Sequence, residues 1–260
     1  MTLFSANLGF LWNDRPLLEA VRAAHRAGFD ALECHWPYDV SPFALKDEVR
    51  KTGLSMIGLN TIRGAVDAGE NGLSALVGRQ AEARAAIDQA LAYAIDADIQ
   101  HIHVMAGFAS GKAAHQTFVE NLRYACQNAL LHQKIILIEP LNHLDAPHYF
   151  LQHCDQARDI IAQVDMPNLK LMFDCYHIAI LQGDVKSALS SNIDIIGHIQ
   201  FASVPTRGAP DEGTLDYQDI FLHLASLGYE APLGAEYRPK GGDTDASLGW
   251  LSWMGANQDK

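Results

Sequence analysis

Short apolar runs alternate with amphipathic stretches along most of this chain, and each run is closed by turn residues or by a single polar side chain. Runs of that kind read as strands; apolar residues recurring every three to four positions read as helices. Asp14 is placed to cap a helix reaching Ala27, with Pro16 in its first turn and Gly28 just past its end, ahead of a strand over Phe29–Cys34. Ser41-Pro42 starts a second helix, which Gly53 ends before a strand over Leu54–Leu59. The punctuation returns at Tyr217–Leu227, Gly228, Tyr229 and the strand to Glu236. Helix, glycine, apolar residue and strand, met repeatedly, predict a repeated αβ unit.

Between these lie a predicted helix over Arg79–Ile95, a strand over Ile99–Met105 and a helix over His115–His132. A fifth strand ends at Glu139; Cys154–Val164 reads as a helix, Leu169–Asp174 as a strand, Asp184–Ser190 as a short helix and Ile195–Gln200 as a strand. With a first strand near the N-terminus and a short helix around Asp245–Met254, the pattern predicts an α/β protein, a single (β/α)8 TIM barrel occupying residues 1–260 as one domain. An open doubly wound sheet is the runner-up, but no G-x-G-x-x-G follows the first strand. Three loops after strands are long: Asn60–Gly78, Pro140–His153 and Phe201–Asp216. In a barrel they share the catalytic face. The first is rich in Gly and Ala and reads either as a mobile lid or as a loop packed over the barrel. Trp250 and Trp253 read as a cover for the bottom of the barrel, with a subunit contact as the alternative.

Composition narrows the function classes. The formal net charge is −12, a field that repels phosphate backbones, so no nucleic-acid partner is expected. No apolar stretch approaches the roughly 18–20 residues of a membrane span, so no membrane partner is expected either. The first residues lack the basic start and apolar run of a secretory signal. Four scattered cysteines, with no C-x-x-C pair, fit a reducing cytoplasmic setting and argue against a thiolate zinc site. A homo-oligomer is compatible with all of this.

The candidate chemistry lies where strands end. Ile135-Ile136-Leu137-Ile138-Glu139, Leu171-Met172-Phe173-Asp174, Ile196-Gly197-His198-Ile199-Gln200 and Pro232-Leu233-Gly234-Ala235-Glu236 each run from an apolar stretch to a carboxylate or amide. Ends on one rim would bring three carboxylates and an amide oxygen together, a donor set for a hard divalent cation, Mg²⁺ or Mn²⁺. Glu139 and Glu236, on the fifth and eighth strands, would face each other across the mouth and could trade a proton with a bound substrate. Taken singly, each is more often a solvated strand end or an ion-pair partner; four polar strand ends together reverse that. His177, three residues after Asp174, reads as a hydrogen-bond partner for substrate or as a histidine stacked at a helix start. Arg207 reads as a holder of a substrate carboxylate or hydroxyl, or as a surface arginine. His103 lines the pocket or sits in the core; His198, two residues before Gln200, reads as buried and structural. Glu33 and His35 close the second strand and are weaker candidates for the rim.

These residues carry a resemblance. Ile138-Glu139-Pro140-Leu141-Asn142, Phe173-Asp174-Cys175-Tyr176-His177, His198-Ile199-Gln200-Phe201-Ala202 and Gly234-Ala235-Glu236-Tyr237 are similar to the sugar-isomerase-like barrels, in particular the hydroxypyruvate isomerase family. His103-Val104-Met105-Ala106-Gly107 and Ser5-Ala6-Asn7-Leu8 fit as well, so the similarity spans nearly the whole chain. Glutamine at the third metal position separates this group from ketose 3-epimerases, which usually carry histidine there. The resemblance implies a divalent metal held by Glu139, Asp174, Gln200 and Glu236, with Glu139 and Glu236 as the acid/base pair and His177 and Arg207 on substrate. It implies proton transfer through an enediolate in a small hydroxy-oxo acid or sugar: hydroxypyruvate to tartronate semialdehyde, or 2-oxo-tetronate to 3-oxo-tetronate. The chain departs from the typical pattern at Leu144 and His148, where arginine and glycine are expected. A ketose 3-epimerase, an apurinic endonuclease and a non-catalytic sugar-acid-binding barrel are the competing readings.

Overall fold

The structure, a computed structural model, describes residues 2–255. Eight parallel strands pair in chain order and close into a ring: β1 (Phe4–Asn7), β2 (Ala31–Glu33), β3 (Ser55–Asn60), β4 (His101–His103), β5 (Ile135–Ile138), β6 (Leu169–Asp174), β7 (Ile196–Phe201) and β8 (Leu233–Ala235). Ser5 of β1 lies opposite Gly234 of β8, which shuts the barrel. The open sheet is thereby excluded, and among the described residues no edge strand is left to protect.

The outer layer follows the predicted order: α1 (Leu17–Ala27), α2 (Pro42–Thr52), α3 (Gln80–Ala97), α4 (Gly111–Leu130), α5 (Cys154–Val164), α6 (Cys175–Gln182), α7 (Val185–Asn192), α8 (Tyr217–Ser226) and α9 (Gly249–Gly255). Gly28 and Gly53 end α1 and α2 in the left-handed conformation, φ 88° and 77°, which glycine adopts without strain. Several details differ from the sequence expectation, the second strand being only Ala31–Glu33. Asp14 does not cap α1; the helix begins after Pro16 with no side-chain cap. The fourth strand is only His101–His103. The helix α6 was not predicted: Asp174 ends β6 and at once caps α6, its side chain accepting from the Tyr176 N–H.

Strand alternation sorts the side chains. Phe4 and Ala6 of β1 join the apolar wall under the helices, while Ser5 and Asn7 reach inward to Glu33 and Glu236. On β7, Phe201 packs outward, whereas His198 and Gln200 reach Glu33. The apolar core is therefore mainly the shell between barrel and helices. The barrel interior carries polar side chains at its mouth.

Trp250 belongs to that shell. It is fully buried, with ring centroids 5.2 Å from Phe4, 5.4 Å from Phe201 and 6.1 Å from Phe29. It closes the outer wall where β8 meets β1, which corrects its expected place at the bottom; the side chain of Trp253 lies outside the described part. The long loop after β3 is no free flap. Ser74 and Ala75 donate main-chain N–H groups to Met105 and Ala106, and Leu73 is buried against Ala83 and Ala86. Its exposed tip, residues 65–69, stands over the barrel mouth. The four cysteines are free and buried, and no helix of the described residues is long and apolar enough to cross a membrane.

Trp250→Ala should lower unfolding stability by about 3–5 kcal/mol, the usual cost of a large aromatic truncated in a core. Denaturant titration by far-UV circular dichroism checks this; an unchanged midpoint would mean that the wall closes without the indole.

Candidate active site

Backbone register brings the polar strand ends to one rim. Asp174 lies opposite Gln200, and Gln200 opposite Gly234, two residues before Glu236. Glu139 follows β5 directly, three strands from β8 around the ring. Glu139, Asp174, Gln200 and Glu236 are all buried. Asp174 is doubly used: Oδ1 accepts from the Tyr176 N–H at 2.9 Å, leaving Oδ2 to face the mouth.

Arg207 lies among these carboxylates. Its Nη2 is 2.5 Å from Glu236 Oε2 and 3.3 Å from Asp174 Oδ2, and its Nη1 is 3.8 Å from Asp145. The guanidinium also stacks over Phe10 and Tyr176, 4.9 and 5.0 Å from the ring centroids. A side chain only 12% exposed is not a surface arginine. Glu236 is fixed from its other side: Oε1 accepts from Asn7 Nδ2 at 3.0 Å, His35 Nε2 at 2.9 Å and Gln200 Nε2 at 3.3 Å.

His177 is the third residue of α6, buried, with Nε2 3.6 Å from Asp174 Oδ2 and 4.0 Å from Glu139 Oε1. Its Nδ1 takes both the main-chain N–H of Asn142, at 3.1 Å, and the Asn142 side-chain amide, at 2.7 Å. The Asn142 Oδ1 is occupied by the N–H groups of Leu144 and Asp145, so the amide orientation is set. Nδ1 is thus an acceptor, and the neutral ring carries its proton on Nε2, toward the carboxylates. Burial holds His177 and His103 down to about 3, which keeps both rings neutral. His103 has Nδ1 3.7 Å from Glu139 Oε2, and neither ring nitrogen has a hydrogen-bond partner.

The mouth holds more negative than positive charge. Burial, then Glu236 and Asp174, push Glu139 well above the usual carboxylate range. Burial pushes Asp174 up to about 7 against the pull of Arg207. Burial opposes ionisation of Glu236 too, but Arg207 and His35 outweigh it and hold the group at about 2.

A divalent cation fits this surplus. Glu139, Asp174 and His177 offer ligand atoms all within 4.8 Å of one another. Glu139 Oε1 and Gln200 Oε1 are buried with no hydrogen-bond partner, an arrangement that costs free energy unless a cation or donor meets them. The proton on Nε2 makes His177 a donor rather than a ligand, so the oxygens are the better set for a hard ion.

Above them opens a cavity of about 380 Å³ lined by His35, Trp36, Arg63, His103, Glu139, His177, Arg207, Glu236 and Arg238, among others. Arg63 lies 4.1 Å over the Trp36 ring and Arg238 5.6 Å over Phe10; among the described residues neither has a carboxylate partner. Sequence reasoning did not single out Asn7, Asn142, Arg63 or Arg238, and it ranked His35 low. Asn7 carried a usable signal, since it closes β1 as the other polar residues close their strands. Leu144 is 68% exposed and does not line the cavity. His148 has φ 68°, the left-handed region that glycine occupies freely, in keeping with the glycine expected there.

Comparison with known proteins places the chain among relatives of the same fold. The family model described as xylose isomerase-like TIM barrel matches residues 21–252. A protein of Cupriavidus necator named 2-oxo-tetronate isomerase is 42% identical over 96% of this chain and 98% of its own. The Escherichia coli protein named hydroxypyruvate isomerase is 34% identical over the same shares. A Brucella melitensis crystal structure described as AP endonuclease, family 2, superposes with TM-score 0.93 at 38% identity, covering 97% of this chain and 98% of that one. The chain belongs to the xylose isomerase-like TIM barrel family, and within it to the hydroxypyruvate isomerase group of isomerases.

Proposed function

We propose that this isomerase interconverts small 2-oxo and 3-oxo hydroxy acids, with hydroxypyruvate or 2-oxo-tetronate as substrate. The observation that carries this reading is a carboxylate pair, Glu139 and Glu236, sharing one cavity with three arginines, Arg63, Arg207 and Arg238. The pair supplies an acid and a base; the arginines select an anionic substrate. Names borne by the relatives, 2-oxo-tetronate isomerase and hydroxypyruvate isomerase, support it.

For hydroxypyruvate the atoms balance simply. A proton leaves C3, an enediolate forms across C2 and C3, a proton returns at C2, and the hydroxyl proton passes from the C3 oxygen to the C2 oxygen. Glu236, oriented by Asn7, His35 and Arg207, faces the substrate as one partner in this transfer. Glu139, across the same cavity, is the other. The His177 Nε2–H is placed to donate to a substrate oxygen, and Arg63 and Arg238 meet the carboxylate end. A Mg²⁺ or Mn²⁺ ion held by the oxygens of Glu139, Asp174, Gln200 and Glu236 would polarise the carbonyl and acidify the adjacent C–H. Four buried free cysteines support a reducing, cytoplasmic setting.

The competing activities are less well supported. A D-allulose 3-epimerase of Methylomonas shares the fold, TM-score 0.82 at 16% identity, but a neutral ketose leaves unpaired arginines in the cavity without a purpose. Against the nuclease reading, raised by the name of the Brucella structure, stands a net charge of −12, which opposes a phosphate backbone. A binder without turnover has no use for two glutamates set against one substrate space.

The chelated, Mn²⁺-reloaded protein should exchange solvent deuterium into hydroxypyruvate or 2-oxo-tetronate, read by proton NMR. Glu236→Gln should slow turnover by about two to four orders of magnitude with the fold intact. Turnover of fructose or tagatose alone would favour the epimerase, cleavage of abasic DNA the nuclease, and no exchange in any substrate the binder. In the metal-free protein, Arg207→Met should cost about 3–5 kcal/mol, because it strands buried carboxylates without their cation. A melting curve unchanged from wild type would remove Arg207 from the charge balance.

A further inference from the structure

Below the proposed metal oxygens lies a fourth carboxylate that the reaction does not need. Glu33 ends β2 and is 3% exposed, inside the barrel. Oε2 accepts from Gln200 Nε2 at 2.8 Å and from His198 Nε2 at 3.1 Å, and Oε1 accepts from Ser5 Oγ at 2.9 Å. Two strands, β1 and β7, thus supply three donors to one carboxylate. A third makes room: a Cβ on Gly234 of β8 would lie 2.2 Å from Glu33 Oε1 and 2.9 Å from Gln200 Cγ.

The consequence falls on Gln200. A glutamine amide has two ends of similar shape and opposite polarity, and only one can bind a cation. Here Nε2 lies against two carboxylates, Glu33 Oε2 at 2.8 Å and Glu236 Oε1 at 3.3 Å. Turning the amide over would set its oxygen against both and lose both charge-assisted bonds. The oxygen is therefore held at the opposite end, where Oε1 is buried and has no hydrogen-bond partner.

We infer that Glu33 is a positioning residue: it fixes the Gln200 amide so that Oε1, and not Nε2, is presented to a divalent cation. This rests on the reading above in which Gln200 is a metal ligand. It also gives a reason for glutamine at a position where only half of the side chain is useful. The neighbouring carboxylate removes the ambiguity before the ion arrives, which is how residues behind a ligand tune affinity.

Conservative variants separate orientation from charge. Glu33→Gln keeps an acceptor oxygen for Gln200 and loses the charge, its own NH₂ being able to donate to Ser5 Oγ. Glu33→Asp keeps the charge and withdraws it by one methylene, out of reach of Nε2. The probe is Mn²⁺ alone, titrated by calorimetry into the chelated full chain without substrate. Glu33→Asp should weaken Mn²⁺ binding by about 10- to 100-fold, and Glu33→Gln should stay within about threefold of wild type. Gln200→Leu should weaken binding at least as much as Glu33→Asp, and adding Glu33→Asp to it should have no further effect. The reverse ranking of the two Glu33 variants would show that Glu33 acts through its charge, and a loss that persists in the Gln200→Leu background would show that it acts by a route other than Gln200; either result overturns the inference. If Gln200→Leu itself bound Mn²⁺ as wild type does, the ligand reading of Gln200 would fall instead.

Discussion

Buried charge that is only partly neutralised governs this molecule. Glu33, Glu139, Asp174 and Glu236 converge inside one barrel, and Arg207 is the guanidinium set among the last three. Removing carboxylates from water is costly unless each finds a donor or a cation. The structure meets the cost in different ways. Glu236 is ringed by donors, Asp174 caps a helix, and Glu33 accepts from three side chains on two strands. Glu139 keeps an oxygen with no partner, as does Gln200. Those two loose ends are open to a cation or a donor, beside the cavity, the neutral histidines and the arginines.

The fold was largely legible in the chain because its unit repeats. Gly28 and Gly53 mark helix ends by a backbone conformation that other residues resist, and the strand behind each follows from its apolar run. The helix α6 escaped because its cap is the metal-site candidate itself. Asp174 closes a strand and opens a helix with no turn residue between, and Cys175–Gln182 is apolar on most faces, so no helical stripe stands out. Trp250 was recognisable as a buried aromatic, but its place on the wall depends on where the last helix docks.

The site was legible wherever a strand ended on a polar residue. Glu139, Asp174, Gln200 and Glu236 share that signature, and the structure brings all four to one rim. Partners supplied by chain folding were not. Asn7 and Glu236 are 229 residues apart, His35 and Glu236 are 201 apart, and no local pattern links them. The proton position on His177 likewise depends on Asn142, 35 residues away. The two hydrogen bonds from Asn142 leave the proton on Nε2 of a residue with ligand spacing.

The central claim is that oxygens from four strand ends surround one ion. Anomalous diffraction from crystals of the Mn²⁺-loaded protein tests it directly. The account predicts one strong peak within coordination distance of Glu139, Asp174, Gln200 Oε1 and Glu236, with His177 Nε2 outside the shell. A peak bound through His177, or one away from Gln200 and Glu236, would contradict it.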